Sequence, residues 1–405
     1  MAVRAPVLPP RPLLPIAFNS KPMPAENIPF SELPSPCFLL VEERLKRNLS
    51  ILQRVQTEAG CQIICALKGY ALYPTFGTVR QYLSGATASS LNEARLIAQE
   101  MHCRAHLYAP AYLDNEFDEL LGYACHITFN SMAQFDRFKD RVRQYEPYRI
   151  SCGIRINPQY SEVETDMYNP CIAGSRLGIT RDQLPDTLPE GIEGLHFHTL
   201  CENDSYTLER TVNALEQRFA HLLHQAKWLN MGGGHLITRQ GYDTDHLVRL
   251  IKRLKTTYNL DIILEPGAAV GWQTGYLVAK VLDILDSQGV QVAILDVSFA
   301  AHMPDCLEMP YKPRILTATD ATDGKPSYRM GGLTCLAGDF MGDYSFDQAL
   351  EVGSTIVFDD MIHYTMVKTT TFNGVGLPDI AIWRDDNTYQ RLRRFGYESY
   401  KDRLG

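Results

Sequence analysis

The chain has 405 residues, of which 45% are hydrophobic and 21% charged. Those proportions exclude a mainly disordered or fibrous chain, and the length suggests two or three domains. Lys and Arg number 39 against 47 Asp and Glu, a formal charge of −8 with no basic block, which argues against a nucleic-acid partner and for a cationic small one.

In chain order, residues 1–36 come first and hold ten of the 23 prolines. Proline lacks the backbone donor that helices and central strands need, so an extended, partly mobile arm is expected there. Pro9, Pro10, Pro12 and Pro15 break its apolar residues, which leaves no secretory-signal core. No stretch approaches the roughly 20 apolar residues of a membrane helix. The ten cysteines are scattered without a CxxC pair, several inside apolar runs such as QIICALK and ISCGIRI. They read as reduced, mostly buried residues of a cytoplasmic protein.

A strand is expected near Cys37–Val41. Eight further strand candidates follow: Ile63–Leu67, Ala86–Ala88, Ala105–Tyr108, Ile127–Asn130, Tyr148–Asn157, Gly194–Leu200, Trp228–Met231 and Asp261–Leu264. Helix-compatible stretches lie between them, among them Ser90–Glu100, Met132–Val142, Tyr206–Lys227 and Thr244–Thr257. This alternation predicts a (β/α)₈ barrel over 37–280; a doubly wound open sheet is the competitor, disfavoured by the strand number and the lack of an early GxGxxG. After residue 280 the character changes. Gln291–Ser298, Tyr311–Ala318, Ser354–Phe358 and Ala381–Trp383 read as short strands with gaps rich in Gly, Pro, Asp and Thr. That predicts an all-β second domain over 281–405, in which Gly338–Tyr344, with two glycines and two aspartates, is expected to be a loop.

Polar punctuation follows the barrel strands, and the C-terminal ends of barrel strands face the usual active-site mouth. Lys68 follows the first run. A lysine there is ordinarily surface decoration, but an amine on the rim of an apolar barrel is poised for a lowered pKa and Schiff-base chemistry. Gly232, Gly233 and Gly234 follow the seventh run and Glu265–Pro266–Gly267 the eighth. Such turns can be plain connections, or can converge backbone N–H groups on an anion, and phosphate cradles in (β/α)₈ enzymes often combine these two loops. Glu265 must be paired if buried, either in a salt bridge within the barrel or on a protonated pyridine nitrogen. His196 and His198 share one face of a strand; further zinc ligands are missing at metal spacing, as they are for His102 and His106, so no metal is expected. A histidine ring can instead stack on a flat cofactor. Cys335, beside Asp339 and Asp343, is placed for proton transfer or recognition, the aspartates for substrate ammonium groups or for turn capping. Tyr364 is either a phosphate donor or a core aromatic.

Taken together, ALKGY, GLHFHTLCE, NMGGGH, EPG, DVSFAAHMPDCLEMPY, CLAGDFMGDY and HYTMVK resemble the carboxynorspermidine/carboxyspermidine decarboxylase family over roughly residues 35–385. That family is one of the fold-type III pyridoxal-phosphate enzymes, with alanine racemase and the ornithine, arginine and diaminopimelate decarboxylases as relatives. HMPDCLEMPY points to the narrower family. The resemblance implies a pyridoxal 5'-phosphate (PLP) cofactor in a (β/α)₈ TIM barrel, a C-terminal β domain, and a head-to-tail homodimer with active sites at the interface. It implies Lys68 as the Schiff-base lysine, His198 stacked on the ring, Glu265 at the pyridine nitrogen, and Arg155 near the ring hydroxyl. The Gly232–Gly234 turn, Gly267 and Tyr364 would hold the phosphate. Cys335 would come from the second subunit as a proton source, and His302, Asp305, Glu308, Asp339 and Asp343 would meet the cationic substrate. One departure is Ala268 after EPG, where arginine or glutamate stands in related enzymes. The expected activity is loss of CO₂ from carboxynorspermidine or carboxyspermidine, in polyamine biosynthesis. The alternatives are a decarboxylase of ornithine, arginine or diaminopimelate, a racemase, a non-catalytic cofactor-binding regulator, and a zinc hydrolase.

Overall fold

The computed structural model describes residues 28–309 and 311–405. Residues 1–27 of the expected arm lie outside that range. Within its remainder, Ile28 and Leu33 are buried in a cluster with Val357 and Trp383.

The apolar run Cys37–Val41 forms β1, and every one of its residues is buried. It does not belong to the barrel. The barrel closes from eight parallel strands: β2 (Gln62–Ala66), β3 (Gly85–Ala88), β4 (Ala105–Tyr108), β5 (Ala124–Phe129), β6 (Ser151–Arg155), β7 (Ile192–His196), β8 (Trp228–Asn230) and β9 (Asp261–Leu264). Each overlaps one of the runs read from the sequence. The longest expectations shorten: pairing of the sixth strand stops at His196, and Phe197–Leu200 continues into the mouth.

The intervening helices start where a short polar side chain can accept from a free backbone N–H. Ser90, Ser131, Asp204 and Asp243 do so for the helices Leu91–Leu96, Met132–Arg143, Ser205–Leu223 and Thr244–Tyr258. The helix expected over Ser90–Glu100 converts to a π turn at Ile97–Met101. Before the barrel, helix Glu42–Ala59 buries Leu45, Leu49, Leu52 and Val55 along one stripe and ends at Gly60, whose φ of 62° suits glycine.

The floor of the barrel is packed with side chains. A Cβ on Gly153 would lie 2.2 Å from the Trp228 ring, and one on Gly194 would lie 2.0 Å from it. The indole occupies the space those side chains lack, and its Nε1–H donates to Ser151 Oγ at 2.9 Å. Ile64 and Ile263 complete this cluster with Trp228.

The second unit is a nine-stranded sheet. Besides β1 it contains β10 (Gly275–Ser287), β11 (Val290–Leu295), β12 (Ala318–Asp320), β13 (Ser327–Gly331), β14 (Phe340–Phe346), β15 (Thr355–Asp359), β16 (Asp379–Trp383) and β17 (Tyr389–Arg393). The order is β12-β14-β13-β11-β10-β1-β16-β17, with β15 also on β10. Strand β10 changes partners along its length. Its first half pairs with β1 and β15, and beyond Val281 it pairs with β11 across a register break. The expected division at 280/281 falls inside this strand. Short helices at Phe299–His302, Pro304–Glu308 and Tyr364–Val367 interrupt the sheet connections, and Asp305 and Tyr364 of the last two line the cavity at the barrel mouth.

Two expectations are overturned. Tyr311–Ala318 is not a strand: Ile315 makes only an isolated bridge to Phe358, and β12 begins at Ala318. Gly338–Tyr344 is not a loop throughout, because β14 starts at Phe340 and pairs with both β13 and β12. Gly342 costs the strand little there: a Cβ would meet only the flexible Lys312 side chain. The register break at Arg329/Met330 accommodates the local irregularity.

Candidate active site

Lys68 leaves β2 at the C-terminal mouth of the barrel, and its Nζ lies 3.2 Å from His198 Nε2. His198 reaches the same point from the segment after β7. Its Nδ1 accepts the Gly233 N–H at 3.0 Å, so in the neutral ring the proton sits on Nε2. Burial first, then the Lys68 and Arg155 charges, hold the His198 pKa well below its ordinary value, and the ring is neutral. Nε2–H therefore needs an acceptor, and the Lys68 amine can accept only through a free lone pair. Donor bookkeeping thus disfavours a protonated amine. The electrostatics agree: burial, then the Arg155 guanidinium, lowers the Lys68 pKa. The amine opens onto a wide cavity, which gives it accessible surface, yet protein surrounds it on all sides.

Glu265 follows β9. Its Oε1 accepts from Asn230 Nδ2 at 2.7 Å, and its Oε2 lies 3.7 Å from His196 Nε2. Burial raises the Glu265 pKa, against the Asn230 hydrogen bond and the Lys68 charge. His196 is buried, with neither ring nitrogen hydrogen-bonded. Arg155, at the end of β6, donates to the His198 carbonyl at 3.0 Å and lies 4.6 Å from the Tyr108 ring centroid.

These groups line one end of a cavity of about 980 Å³. Gly233, Gly234 and Gly267 form part of the wall. Gly233 and Gly234 are required by close backbone approach: a Cβ would lie 2.2 Å from Glu265 O or 1.9 Å from Leu200 O, respectively. Gly232 sits behind the wall against His198. Tyr364 lines the cavity, as do Asp305, Glu202, Asp360 and His363. The His363 pKa is raised to about 9 despite burial, chiefly by the nearby Asp360 carboxylate.

The structure thus gathers Lys68, Arg155, His198, Gly233, Gly234, Glu265, Gly267, Asp305 and Tyr364 around one space. His196 lines the same space, and Cys335, Asp339, Asp343, Glu308 and His302 stand apart from it. Cys335 is exposed on the second unit, where its N–H donates to Asn373 Oδ1 at 2.7 Å. Asp339 is buried and caps a turn, accepting from the N–H groups of Ala300 and Thr334 and from the Thr334 hydroxyl. Asp343 pairs with Arg329 at 2.9 Å, and Glu308 pairs with Lys368. His302 is buried with its Nδ1 accepting the Ser298 N–H at 3.2 Å.

Several wall residues were not singled out from sequence: Tyr108, Glu202, Trp272, Asp360 and His363. Glu202 stood in the quoted GLHFHTLCE run at a strand end, the one signal that could have found it. His196 and His198 do not come together as a metal pair. Among the described residues, His106, Cys125 and His126 are close enough to share an ion. The two imidazoles there stack 4.1 Å apart at 8°, so their in-plane lone pairs do not converge.

An amine with a lowered pKa, a flat neutral imidazole and a buried carboxylate line one roomy cavity. That donor set fits a planar aldehyde cofactor with a ring nitrogen, such as PLP. The family model for the pyridoxal-dependent decarboxylase C-terminal sheet domain matches residues 82–362. A carboxyaminopropylagmatine decarboxylase from Synechocystis sp. is 49% identical over 94% of this chain and 98% of its own length. A carboxynorspermidine/carboxyspermidine decarboxylase from Campylobacter jejuni is 40% identical over 92% of this chain and 98% of its own. The crystal structure of carboxynorspermidine decarboxylase complexed with norspermidine, also from Campylobacter jejuni, superposes with a TM-score of 0.85 at 40% identity, covering 92% of this chain and 100% of that one. The chain belongs to the pyridoxal-dependent decarboxylases, which are carboxy-lyases, and within them to the group that holds these polyamine-pathway enzymes.

Proposed function

We propose that the chain decarboxylates an amino acid bearing a long cationic tail, carboxyspermidine or carboxynorspermidine, with PLP as cofactor. The observation that carries this reading is one cavity that brings Lys68, His198 and Glu265 together with the acids Glu202, Asp305 and Asp360.

PLP, when bound, supplies a conjugated ring that takes up the electron pair left by departing CO₂. The protein's share is orientation and charge. Lys68 holds the cofactor through its amine, and the free lone pair demanded by His198 Nε2–H is the state that can do so. His198, fixed by Gly233, presents a flat neutral face to the ring. Glu265 holds a proton on the ring nitrogen, which offsets the cost of the buried carboxylate. The Gly232–Gly234 turn, Gly267 and Tyr364 hold the phosphate, and Arg155 steadies the ring-hydroxyl side through His198. Fixing the ring in this way keeps the breaking bond aligned with the conjugated system.

Cys335 and Asp339 reach a reacting centre only if a second copy supplies them. Cys335 sits among exposed Leu333, Leu336 and Phe340, an apolar surface suited to a homodimer with shared sites. All ten cysteines are free thiols, in keeping with a cytoplasmic setting, and no helix among the described residues is long and apolar enough to cross a membrane.

A second reading, carboxyaminopropylagmatine as substrate, is favoured by the 49% identity to the Synechocystis enzyme. The test is CO₂ release from carboxynorspermidine, carboxyspermidine, carboxyaminopropylagmatine, diaminopimelate and ornithine in parallel. Turnover confined to the first three is expected. Turnover confined to ornithine or diaminopimelate overturns the tail assignment, and cofactor binding without any CO₂ release makes the protein a binding module.

A further inference from the structure

His196 closes β7 and lines the cavity, yet it is buried and neither ring nitrogen has a hydrogen-bond partner. Buried polar groups are rarely left so, because each unmatched one carries a desolvation cost. Burial first, then the Arg155 and Lys68 charges, hold its pKa well below the ordinary value. The ring is therefore neutral and carries a single N–H. Tyr108 packs beside it with ring centroids 5.2 Å apart, but its hydroxyl is turned to Asn130 Oδ1 at 2.8 Å.

The strand register brings an acceptor to that N–H. His196 of β7 pairs with Asn230 of β8, and β8 pairs with β9, directly beyond which Glu265 stands. The Asn230 amide is fixed at both ends. Its Oδ1 accepts the Gly232 N–H at 2.9 Å, which leaves Nδ2 to donate to Glu265 Oε1 at 2.7 Å. One carboxylate oxygen is thereby held. The other, Oε2, stands 3.7 Å from His196 Nε2, just beyond hydrogen-bond length. The last torsion of a glutamate is soft, so a small turn of the carboxylate closes that gap. A carboxylate oxygen has lone pairs for more than one donor, so this bond still leaves Glu265 free to face the cofactor. Asn230, the Lys68 charge, Thr87 and the Arg155 charge all favour the ionised acid, and burial outweighs them. A further donor is what that balance lacks.

We infer that His196 is a positioning residue for the reaction: its Nε2–H donates to Glu265 Oε2 once that carboxylate is ionised, and so keeps the acid charged opposite the ring nitrogen. This rests on the place given to Glu265 in the functional reading and adds the group that holds it there. Asn230 orients one oxygen and His196 the other, from two neighbouring strands.

The test compares His196→Asn, which cannot offer a donor at the Nε2 position, with His196→Gln, which can. The first readout is the infrared carbonyl stretch of protonated Glu265, titrated in the full-length chain before cofactor is added and assigned by its loss in Glu265→Gln. His196→Asn should raise the protonation constant of Glu265 about tenfold, and His196→Gln should keep it within about threefold. With PLP bound, His196→Asn should lower kcat about tenfold, with KM within about twofold and cofactor content unchanged. In a Glu265→Gln background the same substitution should change kcat less than about twofold, because the residue acts through that acid. The nitrogen-15 resonances of the wild-type His196 ring give a check that needs no folded Asn variant: an Nε2–H tautomer is expected, and an Nδ1–H tautomer overturns the inference. An unchanged Glu265 titration in His196→Asn, or an equal loss of kcat with and without Glu265, overturns it too and leaves the functional reading intact. If Glu265→Gln alone leaves kcat unchanged, the role of Glu265 in the functional reading falls.

Discussion

The two ends of the barrel use opposite chemistry on the same eight strands. At the floor, Trp228 fills the space left by Gly153 and Gly194, Ile64 and Ile263 close around it, and its one polar atom is matched by Ser151. At the mouth, polar groups are buried without full partners: both nitrogens of His196, and Asp305 Oδ1. Packing density dominates the first region, and differences in solvation dominate the second. A barrel can carry the destabilising mouth because the floor and the outer helices are closely packed. Substitutions at the two ends should therefore move different observables.

The largest effect is expected at Lys68. Lys68→Ala should abolish turnover and the hydride-trapped cofactor adduct at that position, as read by CO₂ release and peptide mass spectrometry; persistence of either removes the residue from its assigned place. Glu265→Gln should cut turnover about 10²–10³-fold and at the same time raise the melting temperature of the cofactor-free protein at neutral pH. The sign follows from burial. The folded pKa of Glu265 lies above the unfolded one, so the carboxyl favours folding relative to the ionised state below the unfolded pKa, and that advantage is lost as pH rises through the folded pKa. The stabilisation by Gln should then fade as pH is lowered through the same window, where the acid is neutral in both states. A melting difference that stays constant with pH would separate the effect from ionisation.

Cys335→Ala should slow decarboxylation by roughly 10²-fold if the thiol moves a proton, with cofactor content unchanged. Mixing Cys335→Ala with Lys68→Ala protein should restore part of the turnover through hybrid dimers, and no recovery would count against shared sites. The smallest effect on turnover belongs to the floor. Trp228→Phe should lower stability by about 1–3 kcal/mol, from the void and the lost hydrogen bond, while kcat of the folded fraction stays within about twofold of the wild type. A loss of kcat matching that at the mouth would show that the two ends are coupled.

Much of this architecture was legible in the residues. The barrel strands are short apolar runs that end in polar groups, and that pattern survives because each strand is buried on both faces. Lys68, His198, Glu265 and Gly234 could be singled out because they stand directly beyond such runs. Asp360 and His363 could not, because their run ends no barrel strand; only the fold brings them to the cavity. Asp339 and Asp343 illustrate the converse. Their spacing suggested substrate contacts, but within this chain Asp339 accepts three hydrogen bonds in its own turn and Asp343 pairs with Arg329. Strand β14 was misread because its aspartate and glycines carry poor intrinsic strand preference, which pairing on both sides overrides.

The position of β1 sets a timetable for the chain's birth. Its five residues are laid antiparallel against β10 and parallel against β16, so Cys37 meets Asp379 and Val41 meets Trp383. A ribosome delivers β1 among the first ordered residues and β16 among the last, while all eight barrel strands are made between them. The barrel can close, and β1 can meet β10, before β16 has been made. Until β16 arrives the other edge of β1 is unpaired and apolar, and the nascent protein must keep it from finding another chain.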